Sequence, residues 1–221
     1  MPQHWVAVLV AGDGSLPVFD NAVDRMDALL RRSGTPESDI HRLSAARSVL
    51  AQPGVQVATR AHVLDAVANL HPAYGQACFV FITSHGAHGP GVYLSPWTEF
   101  VPPDQLDVAL QAGCGDAPTV AVVSACYTGD FAQAPMARAN RIVLTAARAD
   151  RPSFGCGAGR ELAWYDQCLL GTLAARPATW PDVIADTDAC ITRLETKAGE
   201  PASDPQSAVG QSVARLAVVG G

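Results

Sequence analysis

Two short segments of this 221-residue chain hold the side chains that attack on a carbonyl requires. "FVFITSHGAHG", residues 79 to 89, places His85, Gly86 and His88 after an apolar run, and "TVAVVSACYTGDF", residues 119 to 131, places Cys126 after another. A cysteine attacks a carbonyl as a thiolate, or with a base within hydrogen-bond reach, and imidazole is the usual base. His85 stands at the end of its apolar run, whereas His88 lies farther out in the loop and is held less firmly. His85 is therefore the preferred base, and His88 is assigned to the loop surface near substrate. Gly86 carries no side chain, so its N–H can approach a developing oxyanion, with the N–H of Cys126 as a second donor. A plainer reading stays open at this level: Cys126 as a small buried hydrophobe and His85 as a turn residue.

The surrounding elements decide whether those segments meet. "HWVAVLVAG" (4–12), "ACFVFITS" (77–84), "PTVAVVSAC" (118–126) and "RIVLTAA" (141–147) read as buried strands, with a short one in "DIHRLSA" and a last, edge-like one in "SVARLAVVG". The stretch at 20–34 has helical spacing, with Val23, Met26, Leu29 and Leu30 on one face and Gly34 to close it. Further helices are expected at 59–71 with Thr59 as cap, at 102–114, at 159–173 and at 180–199, while 200–210 reads as a loop. Continuous apolar strands alternating with helices predict an α/β fold with a mainly parallel sheet covered on both faces. Ligands then bind at the carboxyl ends of the strands, where His85 and Cys126 would emerge side by side if their strands are neighbours.

Bulk composition narrows the classes. The net charge of −6, with no basic run, argues against nucleic acid as a partner. The run "WVAVLVAG" is too short to span a bilayer and follows no basic segment, so neither a membrane span nor a leader is read from it; the compartment stays open. Six cysteines, at 78, 114, 126, 156, 168 and 190, form no CxxC pair and lack histidines placed as zinc ligands, so no metal or other cofactor is expected. Cys78, Cys168 and Cys190 fall in apolar patterns that suit inert buried thiols. Residues 1–221 show no repeat or linker and read as a single domain. Neither a dinucleotide fingerprint, nor a phosphate-loop lysine, nor a GxSxG elbow is present.

The two segments together resemble the legumain-type cysteine peptidases of the caspase-like group: a strand ending in His-Gly and, farther on, one ending in Ala-Cys with a glycine shortly after. "LTAARADRPSFGC" (144–156) is similar to the loop after the family's next strand, and "VLVAGDGSLPVFDNAVDRMDALL" to its opening strand, loop and helix. The likeness extends through nearly the whole chain and is clearest in bacterial single-domain forms. It implies a caspase-like three-layer sandwich with a six-stranded, mainly parallel sheet, Cys126 as nucleophile, His85 as general base, and the N–H groups of Gly86 and Cys126 as oxyanion hole. The implied reaction is endopeptidase cleavage of a peptide or protein substrate through a thioester. Alternatives are transfer of the acyl group to an amine, as in a transpeptidase or ligase, or a non-catalytic peptide-binding scaffold.

The resemblance also marks departures. In legumain an arginine and a histidine at the start of the first helix help form the pocket for the residue before the cut; Asp20 and Asn21 stand there in this sequence. The acidic residue two before the nucleophile is Ser124 here, and the family's supporting asparagine falls near Val18. Ser153 and Phe154 match a segment that shapes the same pocket. The family implies asparagine or aspartate before the cut. Asp20, if it lines the pocket, implies lysine or arginine instead, because a desolvated carboxylate needs a cation; otherwise it belongs to the helix start. Oligomeric state is left open.

Overall fold

The computed structural model describes residues 4–157 and 159–219. Its central sheet contains β1 (His4–Ala11), β2 (Ile40–Ser44), β3 (Val55–Val57), β4 (Gln76–Thr83), β8 (Thr119–Ser124), β9 (Arg141–Thr145) and β10 (Gln206–Val209) in the order β10-β9-β8-β4-β1-β2-β3. All neighbours are parallel except β10, which runs antiparallel to β9. Between β4 and β8 lie three short strands, β5 (Gly86–Ala87), β6 (Gly91–Leu94) and β7 (Glu99–Val101), which form a small antiparallel sheet.

Alternation along the strands explains why both faces are covered. In β1, Trp5, Ala7, Leu9 and Ala11 enter one core, while Val6, Val8 and Val10 enter the other. The first core is closed by α1 (Pro17–Arg32), α4 (Trp164–Ala174) and α5 (Trp180–Ala198), the second by α2 (Arg60–Ala68) and α3 (Pro103–Cys114). The result is the expected three-layer α/β sandwich. Proline opens α1 and α3, the Thr59 side chain accepts from His62 N–H at the start of α2, and Thr179 with Asp182 makes a capping box for α5.

The sheet has seven strands where six were expected. β3 has three residues and no apolar run, so it was hidden behind the Pro53-Gly54 turn. β10 lies in the 200–210 segment read as loop: it pairs through its backbone at the sheet edge with alternate residues exposed, which needs no apolar pattern. The apolar stretch 212–219 forms no strand; it makes turns and irregular chain, and the last residue of that expected strand, Gly220, lies outside the described residues. Val213, Leu216, Val218 and Val219 plug the core beside Trp180, whose Nε1 donates to Ala217 O at 3.3 Å. The helix expected from 159 starts only at Trp164.

Cys78, Cys168 and Cys190 are not free thiols. Cys78 is joined to Cys114, tying β4 to the end of α3, and Cys168 to Cys190, tying α4 to α5. Each cysteine taken in its own apolar pattern looks inert because its partner comes from a different element. Cross-links over 36 and 22 residues contribute roughly 3–4 kcal/mol each in the chain-entropy account.

At the amino-terminal end of the sheet, Arg141 leads β9 with 1% of its side chain exposed. Its Nη1 donates to Asp107 Oδ1 at 2.6 Å, and Arg138 holds the same carboxylate through Nε at 2.9 Å and Nη2 at 2.7 Å. Burial alone would push the Asp107 carboxyl up, but the hydrogen bonds and charges of the two guanidiniums outweigh it and hold the group below the usual carboxylate range.

Candidate active site

Sheet register brings the two chemistry-bearing segments together. β4 and β8 are adjacent and parallel, with Thr83 opposite Ser124, and Ser84 N–H extends the pairing to Ser124 O at 3.1 Å. His85 and Cys126 each follow two residues beyond those register partners, at the carboxyl edge of the sheet. The His85 carbonyl accepts from Tyr93 N–H at 2.9 Å, and its ring stands edge-on to Phe19 of α1 with centroids 5.2 Å apart. Gly86 packs so closely on the Cys126 peptide that a Cβ there would run into the Cys126 carbonyl oxygen. Gly86→Ala is therefore expected to push the two loops apart and lower kcat by at least about a hundredfold, the loss typical of a displaced oxyanion donor. Steady-state kinetics beside a thermal melt check this.

Cys126 is half-buried and makes no disulfide. Its Sγ accepts the Ser153 N–H at 3.2 Å and lies 3.4 Å from Ser153 O and 3.5 Å from Ser153 Oγ. The next residue, Tyr127, has φ +61°, uncommon for a side chain of that size and frequent where backbone is held for a function. Its N–H donates to Arg151 O at 2.9 Å, and Thr128 Oγ1 donates to Ala125 O at 2.8 Å, so the turn is fixed on both sides. The His88 ring is edge-on to that of Tyr127, with centroids 6.1 Å apart.

The remaining candidates separate. Ser153 contacts Cys126, and Phe154 packs against Trp164 at 5.9 Å on the wall beside it. Ser124 is buried beneath the site. Asn21 Nδ2 donates to Glu161 O at 2.9 Å and Arg25 pairs with Glu161, fastening α1 to the segment before α4. Asp20 faces a different way. It is buried, and accepts from Ser44 Oγ at 2.7 Å at the end of β2, across β1 from β4. Burial raises its carboxyl's pKa and the Ser44 hydrogen bond opposes the rise. In the same loop, Asp150 is bonded to Arg148 at 2.6 and 2.9 Å, and Arg151 Nη1 donates to Ala202 O at 2.9 Å.

Asp166, unremarked in the sequence, is completely buried in the first turn of α4. Thr83 Oγ1 donates to its Oδ2 at 2.7 Å, while Oδ1 has no hydrogen-bond partner. Burial raises its pKa to about 6, against the opposing pull of the nearby Ser124 and Thr83 hydroxyls. The signal for it was a single acidic residue in the apolar run "LAWYDQCLL". Cys156 is also a free, half-buried thiol; burial pushes its pKa up, and the charges of Cys126, Asp13 and Asp166 add to the rise. No group of three or more His, Cys, Asp or Glu suited to a metal occurs among the described residues. A concavity of about 850 Å³ lined by His4, Tyr74 and Arg215 lies at the opposite, amino-terminal end of the strands and includes none of these groups.

The fold is shared with solved structures. Caspase-1 from Spodoptera frugiperda superimposes with a TM-score of 0.62 at 12% identity, covering 94% of this chain and 87% of that one. The structure titled pro-sf-caspase-1 gives 0.60 at 13% identity, covering 93% and 91%. A search of curated proteins finds no match. The model of the Peptidase C13 family matches residues 63–176, just over half of the chain and the span that runs from α2 through both chemistry-bearing segments to the end of α4. The chain thus belongs to the Peptidase C13 family, cysteine peptidases of the legumain group.

Proposed function

We propose that the chain is a single caspase-like peptidase domain, residues 1–221, that cuts peptide bonds with a Cys126–His85 dyad. The observation carrying the proposal is the Thr83–Ser124 register, which sends both residues out of adjacent strands at one level. His85 takes the Cys126 proton as sulfur attacks the carbonyl carbon. The oxyanion then faces the N–H groups of Gly86 and Cys126, and His85 returns the proton to the leaving amine. Water, deprotonated by His85, releases the acid from the thioester. The Ser153 N–H, 3.2 Å from Sγ, holds the sulfur in place beside the wall of the site. This arrangement and the family support endopeptidase cleavage, with a peptide or protein as substrate.

Incubation with an electrophilic peptide probe, followed by intact-mass measurement, tests the assignment. One adduct is expected on the parent and none on Cys126→Ala. Equal labelling of both removes Cys126 as nucleophile, and no labelling of either favours a non-catalytic scaffold.

A further inference from the structure

We propose that Asp166 forms the floor of the subsite for the residue before the cut and selects lysine or arginine there. This deepens the peptidase reading and rests on it. The carboxylate lies beneath the joint between β4 and β8: Thr83 donates to it from one strand, and the Ser124 hydroxyl stands beside it from the other. Those two residues are register partners, and the reacting groups lie two residues beyond them. Two residues of strand span roughly 7 Å, a distance that a lysine or arginine side chain covers and an asparagine side chain does not.

A wholly buried carboxylate with one oxygen unpartnered is costly to keep, and a cation is what completes it. Among the described residues no basic side chain acts on it; burial and two hydroxyls account for its environment. The cover over this end of the sheet is the segment 151–156, whose residues are all partly exposed; Ser153 in it touches Cys126, and the Cys156 thiol lies close enough to both Cys126 and Asp166 to feel their charge. Asp13, buried at the end of β1, acts on the same thiol and adds negative potential, though its Oδ1 is already occupied by Ser15 N–H at 2.6 Å. Asp20, the other acidic candidate, is engaged with Ser44 on the far side of β1.

The competing use of Asp166 is a tie from α4 to Thr83 with no substrate contact, and one set of probes separates the two. Peptidyl acyloxymethyl ketones identical except for arginine, citrulline or asparagine before the warhead are compared by their rates of Cys126 labelling. Citrulline keeps the shape of arginine and removes its charge. Arginine is expected to label about a hundredfold faster than citrulline, the usual consequence of leaving a buried charge unpaired. Asp166→Asn keeps an acceptor for Thr83 and is expected to bring the two rates to near parity, while melting at a higher temperature than the parent at pH 7. Citrulline or asparagine labelling as fast as arginine, or an arginine preference that survives in Asp166→Asn, overturns the assignment and leaves the peptidase reading standing. Failure of all three probes to label Cys126 overturns both. Should Asp166→Asn not fold, the arginine-to-citrulline ratio on the parent decides alone.

Discussion

His85→Ala is expected to lower kcat/KM for peptide hydrolysis by about 10⁴-fold, the upper range for loss of a positioned general base, whereas His88→Ala is expected to cost no more than about tenfold. The difference comes from how each ring is held. His85 leaves β4 directly, its carbonyl is bonded to β6, its ring is braced by Phe19, and the next residue packs on the Cys126 peptide. His88 lies beyond β5 in the loop, with Tyr127 as its ring neighbour. A base must be placed before its basicity counts, because proton transfer requires hydrogen-bond contact. Hydrolysis of a fluorogenic peptide by both variants checks this; a larger loss in His88→Ala reverses the assignment. Slower but intact labelling of Cys126 in His85→Ala would show that the fold and the nucleophile survive.

Asp107→Ala is expected to remove about 3–5 kcal/mol of stability, because it leaves the Arg141 guanidinium buried without its counter-charge. Arg141 already has Nε and Nη2 unpartnered, and its remaining bond is from Nη1 to Met136 O at 3.3 Å, so nothing nearby replaces the carboxylate. For a chain of this size the loss corresponds to a fall in Tm of roughly 6–20 °C. The pH dependence has a defined sign. Because the folded-state pKa of Asp107 lies below its ordinary value, its contribution is complete above about pH 4 and is lost as pH falls through the folded-state value. Thermal melts of the parent between pH 3 and 7 should show that decline, and Asp107→Ala should show less of it. The network lies at the amino-terminal ends of the strands, so the variant, assayed well below its Tm, should keep its kcat. A stability loss under 1 kcal/mol would mean that Arg141 finds another partner.

The parts of the fold that follow from burial were legible in the sequence. Strands buried on both faces read as unbroken apolar runs, and their carboxyl ends pointed to the His85 and Cys126 segments. What escaped depends on partners distant in the chain. β10 is held by backbone pairing to β9, so its Asp- and Pro-rich surroundings looked like a loop, while the apolar tail after it seals a core and makes no strand. The cysteines at 78, 168 and 190 gave no sign of bonding because their cross-links join separate elements. Asp166 is a similar case: an acidic residue inside an apolar helix start gains meaning only when the helix sets it against Thr83 and Ser124. Asp20 was visible for the opposite reason, its place at a helix start, while its bond to Ser44 could not be read from that place.

The Thr83–Ser124 pairing has an evolutionary side. Sliding β8 by one residue against β4 would turn its side chains to the opposite face, exchanging the contents of two cores at once. The offset between His85 and Cys126 is thus insured by the buried valines of those strands, while the hairpin after Gly86 and the segment 151–157 lie outside that register. A lineage could retune what this scaffold cuts many times over without touching how it cuts.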